Sequence, residues 1–189
     1  MADICIENLC KSFGDKKVID NLNCIFESGR INCVMGKSGI GKTTLLNILM
    51  GIYEADYGTV SGISGKKISA VFQENRLCEN LNAITNIKMV TDESDEKINS
   101  VLERMEIDAT KKIPVSEYSG GMKRRVAIAR ALLAKFDILF MDEPLKGLDE
   151  ETKMKVVELI KEMTKGKTVI MVTHNIEECK MFDAKLIEL

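Results

Sequence analysis

Eight consecutive residues of the chain could bind the phosphates of a nucleotide. They read Gly36-Lys37-Ser38-Gly39-Ile40-Gly41-Lys42-Thr43 and match G-x-x-x-x-G-K-S/T at every fixed position, between the apolar run INCVM and a helical run that begins at Thr44. Glycines there let backbone N–H groups surround phosphate oxygens, and the following helix presents its positive N-terminus to them. We expect Lys42 to contact the β- and γ-phosphates and the Thr43 hydroxyl to coordinate Mg²⁺. A glycine-rich turn without a ligand is the alternative, which this context disfavours.

Two carboxylates, Asp142 and Glu143, end the apolar run FDILFMDE. Asp142 is predicted to hold Mg²⁺ through its water shell, because this ion keeps several waters and accepts few protein carboxylates. Glu143 is predicted to accept the proton of the attacking water or to orient that water, a role worth about 10²- to 10⁴-fold in rate. An acidic loop after a core strand is common, so this pair alone is weak evidence.

Two further polar residues follow predicted strands. Gln73 comes after ISAVF and His174 after TVIMVT, and in open α/β sheets ligands bind outside the carboxyl ends of the strands. We expect Gln73 to link Mg²⁺ or its water to a neighbouring loop, and His174 to hydrogen-bond the γ-phosphate. Taken separately, they could be a surface glutamine and a capped strand end. Together with Asp142, Glu143 and the phosphate loop that carries Lys42, they predict a single catalytic edge of the sheet.

The sequence pattern around the candidate site residues predicts an α/β fold. The runs INCVM, ISAVF, FDILFM and TVIMV read as strands buried on both faces, and helical stripes lie between them. This alternation predicts a mostly parallel sheet wrapped by helices. Residues 1–30 alternate apolar and polar positions and predict a small antiparallel β-subdomain, while about 80–120 reads as an inserted helical subdomain. A single domain, 1–189, is the simplest organisation.

Composition argues against several classes of protein. Lysine and arginine number 27 against 29 acidic residues, a net charge of -2, so no nucleic-acid partner is expected. No stretch approaches the ~20 apolar residues of a membrane span, and the N-terminus lacks the apolar core of a signal peptide. The six cysteines contain no Cys-x-x-Cys pair and are predicted to be reduced thiols in a cytosolic protein. If the protein acts at a membrane, another chain spans it.

The segment Tyr118-Ser119-Gly120-Gly121-Met122-Lys123-Arg124-Arg125 resembles the signature motif of the ABC ATPases. Phosphate loop, glutamine, Ser-Gly-Gly, Asp-Glu, Gly-Leu-Asp and histidine follow one another through the chain in that family's order. The resemblance implies a P-loop NTPase fold, Mg²⁺-dependent hydrolysis of ATP, and head-to-tail pairing with a second copy of an ABC ATPase domain. It implies that Ser119, Gly120 and Gly121 contact the partner's ATP, that Asp149 lies at the dimer seam, and that Phe13 stacks on adenine. Phe13 could instead be a core residue of the first sheet.

The same resemblance implies the energy-coupling subunit of a transporter, cytoplasmic and peripheral on the inner face of the cell membrane, bound to a membrane-spanning subunit. Gln73-Glu74-Asn75-Arg76-Leu77 resembles the start of the glutamine loop of importers for nitrate, sulfonates and taurine, but five residues are too few to name a substrate.

The first alternative function is that of a soluble ABC ATPase that acts in DNA repair or on ribosomes. A GTPase or small-molecule kinase is the second, although the Asn-Lys-x-Asp guanine motif is missing. We interpret Lys123-Arg124-Arg125 as the solvated face of the signature helix.

The chain departs from the family's pattern at several places. Met122 replaces the usual glutamine, Lys146-Gly147 stand where Ser-Ala is usual, and the segment from Gly58 to Gln73 is short. The sequence ends at AKLIEL, so no C-terminal extension is expected. Because the serine, both glycines and the aspartate remain, we expect hydrolysis to be retained.

Overall fold

The computed structural model describes residues 2–189, which form eight strands and six α-helices. The strands are β1 (Ile4–Phe13), β2 (Lys16–Phe26), β3 (Ile31–Met35), β4 (Tyr57–Ser61), β5 (Ile68–Val71), β6 (Ile138–Asp142), β7 (Thr168–Val172) and β8 (Lys185–Glu188). The helices are α1 (Lys42–Leu49), α2 (Ala83–Lys88), α3 (Asp95–Arg104), α4 (Gly120–Leu133), α5 (Glu150–Met163) and α6 (Ile176–Met181).

A five-stranded parallel sheet in the order β5-β6-β7-β3-β8 forms the centre of the fold. Every residue of β6 and β7 is buried, because the sheet is covered on both faces. Leu139 and Met141 pack on one side, whereas Ile138 and Phe140 pack on the other, against α1 and the first strands. This arrangement confirms the predicted α/β fold and the burial of β6 and β7 on both faces. The prediction is wrong for β5, which lies at the edge of the sheet and is only partly buried, with Ile68 38% exposed. The arrangement also brings the carboxyl ends of β3, β5, β6 and β7 to one edge.

A second sheet confirms the predicted antiparallel pairing near the N-terminus. Strands β1 and β2 pair antiparallel, and β4 adds to the other side of β1. Ile4, Ile6 and Leu9 of β1 are buried against the same core as α1. The sheet therefore packs beside the phosphate loop, and Phe13 lies at the end of β1.

The chain between β5 and α4 contains helices and turns. Helices α2 and α3 are followed by short 3-10 turns at Ala109–Lys111 and Val115–Glu117, and the segment 80–119 contains no strand. Ile98, Val101 and Leu102 of α3 are buried, as the helical stripe in the sequence indicates. That this segment is a separate subdomain remains a prediction. Within residues 2–189, no helix has the length and apolarity needed to cross a bilayer.

One pair of cysteines contradicts the expectation of reduced thiols. Cys33 of β3 and Cys179 of α6 form a disulfide with their Cα atoms 5.9 Å apart, whereas Cys5, Cys10, Cys24 and Cys78 are free. The prediction is therefore wrong for this pair. The two cysteines are 146 residues apart, and only the packing of α6 against the parallel sheet brings them together.

Candidate functional site

The phosphate loop connects β3 to α1 and depends on glycine. Gly41 has a φ of 109°, and a Cβ there would lie 2.9 Å from both Cγ1 and the carbonyl oxygen of Val18. Gly39 also has a positive φ, of 79°. Glycine adopts these positive φ values readily, whereas residues with a side chain rarely do. The loop can therefore end abruptly at Lys42, where α1 starts with backbone N–H groups that have no partner inside the helix.

Lys42 is held inside this loop. Lys42 is 8% exposed, and its ammonium donates hydrogen bonds to the carbonyl oxygens of Gly36, at 2.8 Å, and Lys37, at 3.0 Å. An ammonium has three N–H donors. One donor therefore remains for a ligand in the cleft that Lys42 lines.

A cleft of about 360 Å³ lies at the carboxyl edge of the parallel sheet, within the size range of small-molecule sites. It is lined by Phe13, Lys16, Val18, Ser38, Gly39, Gly41, Lys42, Thr43, Thr44, Gln73, Asp142, Glu143 and Val172. The structure thus brings together most of the loop, the glutamine, both acids and the aromatic residue. Of the predicted residues, those that do not line the cleft are Gly36, Lys37, Ile40, Ser119, Gly120, Gly121, Asp149 and His174.

Phe13 forms one end of the cleft. Phe13 is 46% exposed, and its ring meets the ring of Tyr53 edge to face, with centroids 5.6 Å apart. The ammonium of Lys11 lies 5.5 Å from the centroid of the Phe13 ring. The alternative interpretation, that Phe13 is a core residue of the first sheet, is therefore wrong. The ring of Phe13 is accessible from the cleft.

Thr43 and Asp142 meet on the floor of the cleft. The Thr43 hydroxyl donates a 2.7 Å hydrogen bond to Oδ2 of Asp142. Asp142 is 5% exposed, and burial raises the pKa of its carboxyl above the usual range, against the opposing effect of the Thr43 hydrogen bond. A buried carboxylate beside a hydroxyl suits a hard divalent cation, which takes oxygen ligands and would stabilise the ionised acid.

Glu143 occupies a strained position directly after β6. Its φ is 49°, in the left-handed region that a side chain rarely adopts, and its N–H donates to the carbonyl oxygen of Val172 at 2.9 Å. Its Oε1 accepts a 2.8 Å hydrogen bond from Nδ1 of His174, since an ionised carboxylate can only accept. The His174 side chain is 67% exposed and does not line the cleft, whereas Glu143 does. The histidine is thus placed to orient the carboxylate.

The signature residues lie elsewhere on the same chain. Ser119 caps α4 by accepting a hydrogen bond from the Met122 N–H at 3.2 Å, and it is exposed. A Cβ on Gly121 would lie 3.4 Å from the carbonyl oxygen of Gly147. Asp149 caps α5 through the Thr152 N–H at 2.9 Å. These residues form a surface next to the loop after Glu143, and none of them lines the chain's own cleft within residues 2–189.

Arg124 is a site residue that the sequence analysis missed. The run Lys123-Arg124-Arg125 is not a solvated face, because Arg124 is 4% exposed and Arg125 donates to the Met105 carbonyl oxygen at 2.7 Å. Arg124 instead donates to backbone carbonyls beside Gln73 and Glu143. The signal was present in the following residues VAIARALL, which are apolar nearly all round the helix and indicate a helix buried on most sides.

The chain matches the family model described as ABC transporter over residues 19–146. The aliphatic sulfonates import ATP-binding protein SsuB 1 of Rhodococcus jostii (strain RHA1) is 33% identical over 183 residues, covering 94% of this chain and 75% of that protein. ABC transporter G family member 20 of Dictyostelium discoideum is 33% identical over 193 residues, covering 93% of this chain but 26% of that protein, so the chain spans about a quarter of its length. The dimeric post-hydrolysis structure of the ATP-binding cassette MJ0796 bound to ADP and Pi matches with a TM-score of 0.85 and 29% identity, covering 98% of this chain and 94% of that one.

Proposed function

The chain belongs to the ABC transporter family, and from this premise we propose that it binds ATP with Mg²⁺ and hydrolyses it as the ATP-binding subunit of a membrane transporter. The observation that carries the proposal is the single cleft that joins the phosphate loop, the Thr43–Asp142 pair and Glu143. Each of these supplies a different requirement of phosphoryl transfer, namely phosphate binding, metal binding and positioning of water.

Nucleotide binding is assigned to the two ends of the cleft. At one end, the loop from Gly36 to Thr44 offers backbone N–H groups at the start of α1 and the remaining donor of Lys42 to the phosphates. At the other end, the exposed ring of Phe13 offers a face for adenine, and its edge-to-face contact with Tyr53 limits its movement. Stacking of this kind is worth about 1–3 kcal/mol per base in proteins that bind single strands.

Mg²⁺ would be held by the Thr43 hydroxyl, by Asp142 directly or through water, and by the Gln73 side chain. Bound there, the ion would neutralise charge on the phosphate oxygens. Within residues 2–189, no group of three or more His, Cys, Asp or Glu side chains is placed to hold a metal. A site with one carboxylate and several waters suits Mg²⁺, which dehydrates reluctantly.

Glu143 is assigned as the group that orients the attacking water and accepts its proton. The His174 hydrogen bond occupies Oε1, which leaves Oε2 as the acceptor on the cleft side. His174 thereby acts as a positioning residue that fixes the rotamer of Glu143. The hydrogen bond between Glu143 N–H and Val172 holds the backbone of this strained residue against the end of β7.

A second copy of the domain would complete the site. Ser119 and Gly121 do not line the chain's own cleft but lie on a surface on which Ser119, Gly147 and Asp149 are exposed and Gly121 is partly exposed. In a head-to-tail pair, this surface would meet the ATP held by the partner. The structures of MJ0796 that resemble this chain are described as dimeric, which supports the same assembly.

Asp142→Asn tests the metal assignment. We expect hydrolysis to fall by about 100-fold, since loss of a metal-site group typically costs 10–100-fold or more, while ATP affinity without Mg²⁺ changes by less than about threefold. Nucleotide titrations with and without Mg²⁺, together with hydrolysis rates, measure both effects. Asp137→Asn is the matched control, because Asp137 lies at the opposite end of β6 and its carboxylate accepts the Lys67 N–H at 2.9 Å. Equal losses of affinity with and without Mg²⁺ would argue against the assignment.

The proposed transporter partner is tested by purification of the tagged chain from solubilised membranes of its own host. We expect a protein with several apolar spans of ~20 residues to copurify in a fixed ratio, since this chain has no membrane-crossing helix in residues 2–189. This outcome would also place the chain at the membrane, and protection of the chain from protease in sealed, right-side-out vesicles would place it on the inner face. Copurification with ribosomes or DNA, and with no spanning protein, would instead support the soluble alternative.

A further inference from the structure

The guanidinium of Arg124 connects two segments of the cleft. On one side it donates to the carbonyl oxygens of Phe72, at 2.5 Å, and Gln73, at 3.4 Å, and to the side chain of Asn75 at 3.4 Å. On the other side it donates to the carbonyl oxygens of Asp142, at 2.5 Å, Glu143, at 2.6 Å, and Pro144, at 3.0 Å.

These two segments follow neighbouring strands. Strands β5 and β6 pair in parallel register up to Val71 and Met141, after which the ladder between them ends. The chain beyond that point carries Gln73 on one strand and Glu143 on the other, and both side chains line the cleft. Arg124 therefore links the two segments by side-chain hydrogen bonds, beyond the point where the backbone ladder between the strands ends.

We propose that Arg124 is a positioning residue for hydrolysis: its guanidinium fixes the separation of the Gln73 and Glu143 backbones and ties both to the helix that begins at the signature. The inference rests on the proposed ATPase function. Arg124 contacts no ligand-facing group of Lys42, Thr43 or Phe13, so its effect is on the geometry of the catalytic step and not on nucleotide affinity.

The chemistry of arginine suits this task. A guanidinium is planar and carries five N–H donors in a fixed fork, which can meet carbonyl groups on two sides at once. Burial lowers the pKa of Arg124 to about 10, so the group stays charged near neutral pH. The carbonyl group of Glu143 belongs to a residue with a φ of 49°, and a charged donor at 2.6 Å stabilises that unusual backbone orientation.

The placement of Arg124 also links the site to the signature. Ser119 caps α4, and Arg124 lies about one and a half turns, roughly 7.5 Å, further along the same helix. A short helix segment is rigid over that distance, so a displacement of the signature changes the position of the guanidinium. The separation of Gln73 and Glu143 then depends on the position of the signature helix.

Arg130 provides a matched comparison on the same helix. It is partly buried, whereas Arg124 is buried, and it donates to the carbonyl oxygens of Arg76, at 2.8 Å, and Asn75, at 3.1 Å. These contacts reach the loop after Gln73 but not the segment after β6. Arg130→Met therefore removes a guanidinium that holds the same loop and leaves the link to Glu143 intact.

The variants Arg124→Met and Arg124→Lys, with Arg130→Met as the control, test the proposal. For both Arg124 variants we expect kcat for ATP to fall at least about tenfold while the dissociation constant for MgADP changes by less than about threefold. Arg124→Lys keeps the positive charge, but the lysine ammonium cannot contact both segments. This variant therefore distinguishes the effect of the bridge from the effect of the charge. Arg130→Met should keep kcat within about threefold. Thermal unfolding confirms that each variant is folded.

A kcat in folded Arg124→Lys equal to that of the wild type would overturn the proposal, as would an equal fall in kcat for Arg130→Met. A wild-type protein that neither binds nor hydrolyses MgATP would instead refute the proposed function. For the case in which the Arg124 variants do not fold, the wild type is examined by NMR of its arginine side-chain nitrogens. We expect resolved, exchange-protected Nη–H signals of Arg124, since its guanidinium is held by carbonyl groups on both sides. Averaged signals that exchange rapidly with water would contradict the bridge.

Discussion

Glu143→Gln is expected to retain ATP affinity while hydrolysis slows by about two or more orders of magnitude. The amide has the same shape as the carboxylate but cannot accept a proton from water. It can still receive the hydrogen bond that His174 Nδ1 donates to Oε1 at 2.8 Å, so the local geometry is kept. Nucleotide titration and single-turnover hydrolysis separate the two effects. A hydrolysis rate within a few fold of the wild type would remove Glu143 from the proposed role.

Persistent ATP in this variant should hold two chains together. Ser119 and Gly121 lie outside the chain's own cleft, so in the proposed assembly they contact ATP only when they come from a second copy. We therefore expect Glu143→Gln to be dimeric with ATP at concentrations where the apo and ADP-bound forms are monomeric. Size-exclusion chromatography with light scattering gives the mass directly. An ATP-bound monomer would contradict the shared site.

Ser119→Arg in the Glu143→Gln background is expected to abolish the ATP-dependent dimer. The substitution also removes the cap of α4, which is worth about 1 kcal/mol, so loss of stability must be separated from loss of contact. Ser94→Arg is the matched control, because Ser94 caps α3 in the same way, through the Lys97 N–H at 3.3 Å. The dimer should survive Ser94→Arg. A dimer that tolerates Ser119→Arg equally well would exclude the signature from the interface.

The sequence was sufficient for the features that depend on local pattern. Strands β6 and β7 are buried on both faces and therefore read as continuous apolar runs, which predicted a parallel sheet. The phosphate loop was recognisable because Gly41 must adopt a φ of 109° beside Val18, a position that tolerates no side chain. The convergence of Gln73 and Asp142 then followed from the rule that parallel strands end at one edge.

Features that depend on distant parts of the chain were not predictable in this way. Cys33 and Cys179 are separated by 146 residues, and nothing near either one indicates the other. Arg124 was misread because a charged run normally faces water, whereas here carbonyl groups after β5 and β6 require a buried donor. That His174 contacts the γ-phosphate stays a prediction, whereas its hydrogen bond to Glu143 became apparent only when β6 and β7 were placed side by side.

Lys42→Ala is expected to lower kcat/KM for ATP by about 10²- to 10³-fold, the range found when one charge-stabilising donor is removed from an active site. Lys42 is almost fully buried, so its charge acts on phosphate oxygens with little screening by water. Lys165→Ala is the control, because Lys165 is an exposed lysine outside the cleft and its loss changes the net charge equally. Calorimetric titration with MgATP and steady-state hydrolysis are the measurements. Wild-type affinity and rate in Lys42→Ala would refute the assignment of the loop.

The same variant distinguishes the charge of Lys42 from its structural role. The ammonium also holds the loop closed through the carbonyl oxygens of Gly36 and Lys37, and alanine removes both hydrogen bonds. If the charge on the β- and γ-phosphates dominates, affinity should fall steeply for ATP and ADP but little for adenosine, which would still stack on Phe13. If loop shape dominates, adenosine affinity and thermal stability should fall together with ATP affinity. We expect the first pattern, because the loop backbone is also held by two hydrogen bonds, from the Ile40 N–H to the Lys37 carbonyl oxygen at 3.3 Å and from the Leu45 N–H to the Gly41 carbonyl oxygen at 2.8 Å.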